Sequence, residues 1–155
     1  MNRKWKLRFL GLAEYIAQWS KDPSTKVGAV IVRPDKSIVS MGFNGFPKGV
    51  DDNIERYHNR NIKYELIVHG ELNAISFANE PITGCVLFTW PFLPCVRCAG
   101  IIIQSGICHV IAPQLPNALK ERWEKSLTGT KNMFNEANII WEANITQEEI
   151  LQESK

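Results

Sequence analysis

Trp5, Phe9, Leu12, Ile16 and Trp19 recur at intervals of three and four near the start of the chain, with charged and polar residues between them. That spacing predicts a helix with one apolar face. Two apolar, β-branched runs follow, Val27–Arg33 and Ile38–Phe43, separated by Pro34-Asp35-Lys36. They read as a hairpin around a turn. Residues 44–64 lack periodicity and hold glycine, asparagine and paired aspartates. They read as one long loop, a feature that in compact domains is more often functional than idle.

Beyond the loop the pattern alternates. Gly70–Ala78 reads as a helix, Cys85–Phe88 as a strand, Cys95–Gln104 as a helix, His109–Ala112 as a strand, residues 117–126 as a helix and Ile139–Trp141 as a strand. Such alternation predicts parallel strands joined by crossovers, with helices on both faces of the sheet. With the leading hairpin, the expected architecture is a three-layer α/β/α sandwich around a mixed sheet of about five strands. Thr146, followed three residues later by Glu149, reads as a capping box opening a final helix. No repeat, low-complexity tract or linker interrupts the chain, so one domain over residues 1–155 is expected.

Composition narrows the function classes. Apolar residues make up 45% and charged residues 22% of 155, which excludes disorder as a whole-chain reading. A net charge of +2 does not match a dedicated nucleic-acid binder. The one dense basic run, Asn2–Arg8, reads as the solvated face of the first helix. No apolar run approaches the roughly 20 residues that span a bilayer. Arg8, Glu14 and Gln18 interrupt the N-terminal apolar stretch and no small-residue cleavage site follows, so a signal peptide is not expected. The expected location is the cytoplasm, with no membrane partner. There four cysteines are better read as metal ligands or core residues than as disulfides, and Asn144-Ile145-Thr146 has no glycosylation role.

Two short segments carry the candidate chemistry, His69-Gly70-Glu71 and Pro94-Cys95-Val96-Arg97-Cys98. Cysteines three apart on a helix lie about 60° apart around its axis, so both thiolates face one way. Pro94 is a helix opener, which sets the cysteines in the first turn where the helix dipole favours thiolates. His69 supplies a third ligand, and three nitrogen and sulfur ligands with an open position define a catalytic Zn2+ site. Glu71 and His69 would point roughly 200° apart within a regular helix, so they converge only if His69 sits at a loop-to-helix junction. A carboxylate beside the metal but not bound to it is a proton shuttle. A lone C-x-x-C with a distant histidine also occurs as a redox pair, a structural zinc site or unrelated core residues. The joint pattern H-x-E then P-C-x-x-C is that of zinc deaminases.

The remaining candidates read blandly. Cys85 and Cys108 are expected to be core thiols, His109 structural, and His58 without a role. Trp5, Trp19, Trp123 and Trp141 fall on periodic faces and are expected in the core, whereas Trp90, at the edge of the presumed site, is placed to stack on a base.

With those residues in view, the sequence resembles the cytidine and deoxycytidylate deaminase superfamily, its deoxycytidylate branch in particular. The resemblance runs from about Trp19 to Ala112 and rests on four further segments: Ser20–Val32, the Gly42-Phe43-Asn44-Gly45-Phe46-Pro47-Lys48-Gly49 loop, Lys63-Tyr64 leading into Val68–Ile75, and Cys98–Ile107. It implies His69, Cys95 and Cys98 as ligands of one Zn2+, Glu71 as the proton shuttle and Asn44 as a nucleotide contact. For the 5′-phosphate, Lys26 with Ser24 as helper is the expected partner, because a phosphate needs a cation and hydroxyl or backbone donors. Gly70 stands where the family usually has alanine. The segment Leu87–Pro94, with Trp90, departs from the family's strand-to-cysteine link, so both positions are expected to shape the base pocket.

The resemblance further implies hydrolysis of dCMP to dUMP and ammonia, and a homo-oligomer, often a hexamer. It implies activation by dCTP and inhibition by dTTP at the Gly42–Asp52 loop, with Mg2+ accompanying a triphosphate effector. Two rivals follow from the same residues. One is a deaminase of a free base, a nucleoside or an RNA base, the last of which requires a basic, aromatic groove. The other is a non-enzymatic zinc-stabilised module, which would prefer a fourth ligand and has no use for Glu71.

Overall fold

The strands of the computed structural model, which describes residues 1–153, are β1 (Gly28–Val32), β2 (Ile38–Phe43), β3 (Val86–Trp90), β4 (His109–Pro113) and β5 (Ile140–Ile145). They form one sheet in the order β2-β1-β3-β4-β5. β1 pairs antiparallel with both β2 and β3, whereas β3, β4 and β5 run parallel. The expected mixed five-stranded α/β sandwich is therefore what forms.

Period-two alternation divides the core into two. Ala29, Ile31, Leu87, Val110 and Ala112 join one apolar cluster, and Val30, Val32, Phe88 and Ile111 join the other. The first is covered by α4 (Gly70–Ser76), α5 (Val96–Gln104) and α6 (Lys120–Glu136), through Ala74, Cys98, Ile102, Leu127 and Phe134. The second is covered by α1 (Arg3–Ala17) and α7 (Gln147–Glu153), through Phe9, Leu10, Ala13 and Ile150. A register shift between Ile111 and Pro113 reverses the alternation late in β5, so Ile145 joins the α1 side while Trp141 and Ala143 pack on the other.

Glycine sets the distance between layers at one point that matters for the site. A Cβ on Gly42 of β2 would lie 2.3 Å from the Ala74 nitrogen and 2.4 Å from the Gly70 oxygen. Only hydrogen fits there, and α4 lies directly on the strand backbone.

Several expectations are revised. Residues 44–64 are not one loop: α2 (Ile54–His58) and α3 (Arg60–Leu66) lie within and beyond them. Each is capped by an asparagine, Asn53 Oδ1 accepting from Glu55 N at 2.9 Å and Asn59 Oδ1 from Ile62 N at 3.2 Å. Helices this short show no apolar period. The helix expected over 117–126 begins as a 3-10 turn (Asn117–Leu119) and continues in α6 to Glu136, on only three buried residues, Leu127, Thr130 and Phe134. Trp19 is 52% exposed because α1 has already ended at Ala17. Cys85 is buried as expected, but Cys108 is exposed. The capping box forms, with Thr146 N donating to Glu149 Oε2 at 2.9 Å and Glu149 N to Thr146 Oγ1 at 3.3 Å. The basic N-terminal run is tied to acids of the C-terminal region, Arg3 to Glu149, Lys6 to Glu142 and Arg8 to Glu153. Among the described residues no helix is long and apolar enough to cross a membrane.

Tyr57 anchors α2. Its ring stacks on Phe46 with centroids 4.2 Å apart, and its hydroxyl donates to Asp52 Oδ1 at 2.8 Å. Burial, then the bond to Asp52, pushes its pKa from 10.0 up to about 12. A raised folded-state pKa contributes stability that is complete below the unfolded value and lost as pH rises through the folded one. The stability difference between wild type and Tyr57→Phe is expected to be constant up to about pH 10 and to shrink from there to about pH 12. Denaturant midpoints of both proteins across that range check it. A difference that holds constant to pH 12 would mean that the phenol titrates normally.

Candidate active site

Both motif segments sit at helix starts. His69 is the N-cap of α4, with φ −72° and ψ 154°, and Glu71 lies in the first turn. Being outside the helix proper, His69 escapes the angular separation that a regular helix would impose on it and Glu71. The chain before it is extended and clamped, Gly45 N donating to Val68 O at 3.1 Å and Val68 N to Gly45 O at 2.9 Å. Cys95 is likewise the N-cap of α5, and Cys98 is the third residue inside. Side chains at these two positions meet, as they do in a capping box. Helix α6 holds this turn in place: Thr130 Oγ1 donates to Pro94 O at 2.8 Å, and Ser126 Oγ accepts from Val96 N at 3.2 Å. From β3, Thr89 Oγ1 donates to Phe92 O at 3.0 Å.

The result is a tight cluster. His69 Nδ1 lies 3.4 Å from Cys95 Sγ and 3.3 Å from Cys98 Sγ, and the two sulfurs are 3.6 Å apart. Tetrahedral bonds of about 2.0–2.3 Å to nitrogen and sulfur place ligand atoms about 3.5–3.8 Å apart, so the three groups fit zinc. Among the described residues no fourth histidine, cysteine or carboxylate joins the group. Such a set leaves a coordination position open. The Cys95 thiol is held down at about 4, chiefly by its hydrogen bond with Cys98 and, against burial, by His69. The bond to Cys95 and then burial push Cys98 up, while the bond to Cys95 raises His69.

Glu71 is 4% exposed, and its Oε2 has no hydrogen-bond partner. Burial raises its pKa above the ordinary carboxyl value, with the charge of His69 opposing. An unpartnered buried carboxylate is costly, which is why native structures keep few of them without a functional reason.

Glu71, His69 and Cys95 line a pocket whose walls are Trp90, Phe92, Leu93 and Trp123 on the apolar side and Asp22, Asn44 and Lys63 on the polar side. Asn44 is buried, and its amide is largely occupied by the chain: Oδ1 accepts from Val27 N at 2.7 Å, and Nδ2 donates to Thr25 O at 2.9 Å and Asp22 Oδ2 at 3.3 Å. It organises the 22–27 segment as well as facing the pocket. Gly70 packs against Val27 and the Gly42 backbone, where a Cβ would meet Val27 O at 3.1 Å. Ser24 lines an adjoining cleft, and Lys26 lies outside both hollows with its ammonium on Gln18 O at 3.2 Å. Phe92, in the Leu87–Pro94 segment expected to shape the base pocket, lines it, and so do Arg122 and Trp123, which the sequence does not mark for it. Arg122 and Trp123 come from α6, and nothing in their local pattern marks them.

These features are those of a zinc-dependent hydrolytic deaminase. The family model of the cytidine and deoxycytidylate deaminase zinc-binding region matches residues 3–113, and the chain belongs to that family. A deaminase encoded in the luxG 3′ region of Aliivibrio fischeri is 43% identical over 139 residues, covering 90% of this chain and 92% of that protein. Human deoxycytidylate deaminase is 35% identical over 146 residues, covering 89% of this chain and 78% of the relative. Among solved structures, the apo dCMP deaminase of cyanophage S-TIM5 superposes with a TM-score of 0.70 at 25% identity, over 92% of this chain and 99% of that one.

Proposed function

We propose that this chain, as a single domain, hydrolyses dCMP to dUMP and ammonia. The observation that carries the reading is the buried, unpartnered Oε2 of Glu71 beside a three-ligand His/Cys/Cys cluster. The deoxycytidylate deaminases among the relatives supply the substrate.

His69, Cys95 and Cys98 would hold one Zn2+, which when bound supplies a Lewis acid that brings the pKa of water towards neutrality. Glu71 takes a proton from the water that adds to C4 of the base and delivers it to the adjacent ring nitrogen. It then takes the proton of the new C4 hydroxyl and passes it to the exocyclic amine, the C4–N bond breaks as the C4 carbonyl forms, and ammonia leaves. Burial raises the Glu71 carboxyl above its ordinary value, which favours the protonated form that gives a proton to the base. Trp90, Phe92, Leu93 and Trp123 enclose the base and exclude bulk water. Cys95 and Cys98, at the N-cap and in the first turn of α5, would ligate Zn2+ as thiolates.

The reading extends to a homo-oligomer, supported by Val96 and Ile101 of α5, which stand 40% and 48% exposed. A response to dCTP and dTTP, with Mg2+ accompanying the triphosphate, rests on the family resemblance of the Gly42–Asp52 loop.

Ammonia release from zinc-loaded protein offered dCMP, deoxycytidine, cytosine and dCTP in turn is expected to give the highest kcat/KM with dCMP. Preference for deoxycytidine or cytosine would keep the chemistry and overturn the substrate. No release from any of them, with zinc bound, would return the site to a structural role.

A further inference from the structure

Among the described residues two buried side-chain polar atoms have no hydrogen-bond partner, Glu71 Oε2 and Trp123 Nε1. Both residues line the base pocket. The mechanism above uses the carboxylate and leaves the indole N–H without a task. The polar groups across the pocket are already taken: Asp22, Asn44 and Lys63 bond to one another and to the 24–27 segment. Trp141 shows the ordinary outcome for an indole, its N–H donating to Asn135 Oδ1 at 2.9 Å. A buried donor left without an acceptor weakens the fold, and native structures keep few such groups.

The indole is fixed in place. Phe92 lies against it with ring centroids 5.0 Å apart, and the Arg122 guanidinium lies 5.2 Å from its centroid. Trp123, Ser126 and Thr130 share one face of α6, at intervals of three and four. Ser126 and Thr130 hydrogen-bond to Val96 N and Pro94 O, on either side of Cys95. The face that grips the metal-binding turn therefore also sets Trp123 into the pocket wall. Trp123 lies beyond residues 3–113, the stretch that the family model matches.

A 4-aminopyrimidine with C4 at the metal cluster and N3 at Glu71 presents one further acceptor on its base, the C2 carbonyl oxygen beside N3. Resting on the deaminase reading above, we propose that Trp123 is a specificity-determining residue whose indole N–H donates to that oxygen. The contact selects 2-oxopyrimidines. A 6-aminopurine turned the same way presents a C–H where the oxygen would be, and the donor stays stranded. A site built to bond a polar group rejects the analogue that lacks it.

The test combines one protein change with one ligand change. It measures kcat/KM of zinc-loaded wild type, Trp123→Phe and Phe92→Leu for dCMP and for its 2-thio analogue, whose sulfur is a weak acceptor. In Trp123→Phe the preference for dCMP over the thio compound is expected to fall about 10-fold, the worth of one hydrogen bond. Phe92→Leu loosens the same wall but keeps the donor, so it is expected to slow both substrates and hold the wild-type preference. An unchanged preference in Trp123→Phe, or an equal fall in Phe92→Leu, overturns the contact and leaves Trp123 a packing residue. A second readout needs neither turnover nor a variant. In proton–nitrogen correlation spectra, the indole signal that cross-relaxes with the Phe92 ring is expected to move downfield with dUMP, which keeps the C2 oxygen, and less with 2-thio-dUMP. A signal that stays in place with dUMP bound overturns the proposal. Should the wild type prefer deoxycytidine or cytosine, the same comparison with the 2-thio form of that compound lets the dCMP reading fail while the base contact stands. Ammonia release from none of them ends both.

Discussion

Glu71→Gln is expected to bind zinc as wild type does and to lose about 10²–10⁴-fold in kcat, the range that a positioned general acid and base contributes. The amide keeps the volume and one acceptor of the carboxylate, so His69, Cys95 and Cys98 are left as they are, but it cannot carry a proton between the water and the ring nitrogen. The same change relieves a cost of the fold. Glu71 is buried with an oxygen that has no partner, and burial lifts its pKa. A group whose folded pKa is raised weakens the folded state as pH climbs above the unfolded value of 4.5, so at neutral pH the metal-free glutamine variant should be the more stable protein. Loss of activity with a gain in denaturation midpoint separates a functional residue from a structural one. Metal analysis, steady-state kinetics and chemical denaturation of the one variant read all three quantities. Retention of full turnover would end the proton-shuttle mechanism.

What could be read from the sequence and what could not follows the range of each interaction. The metal cluster was legible because its ligands come in two short segments whose spacing is local. The N-cap positions of His69 and Cys95 follow from an extended run ending at a helix start. The strands were legible because buried β1, β3 and β4 are near-continuous apolar runs. Helices α2 and α3 were not, since five and seven residues cannot display a period, and their asparagine caps look the same as loop asparagines. The far half of α6 shows no readable apolar face because most of its surface is polar. Hardest of all were the residues that meet only in space. Arg122 reaches Tyr64 across 58 positions, and Lys63 reaches Asp22 across 41. Asn44 was legible as a residue facing the site, yet its hydrogen bonds to Val27, Thr25 and Asp22 depend on a turn whose shape no local pattern specifies.

Lys63→Met is expected to destabilise the protein by about 3–5 kcal/mol, the cost of stranding a buried charge. Lys63 and Asp22 form an ion pair at 3.1 Å, with side chains only 6% and 5% exposed. Asp22 also gathers the backbone nitrogens of Ser24 at 2.8 Å and Thr25 at 3.4 Å and the amide of Asn44 at 3.3 Å. The pair thus joins α3 to the segment that leads into β1, and both line the pocket. Without the ammonium, the Asp22 carboxylate keeps its bonds to Ser24, Thr25 and Asn44 but loses its ion-pair partner, the one found for it among the described residues. It must then either carry its charge unpaired or open the segment to water. Denaturant midpoints at neutral pH measure the loss. The double variant Asp22→Asn/Lys63→Met removes the stranded charge and is expected to recover most of the stability, because an ion pair replaced as a unit costs far less than a pair broken. Additive losses in the double variant would instead mean that each side chain acts through separate packing contacts, and the pair would no longer explain how α3 is held to the pocket.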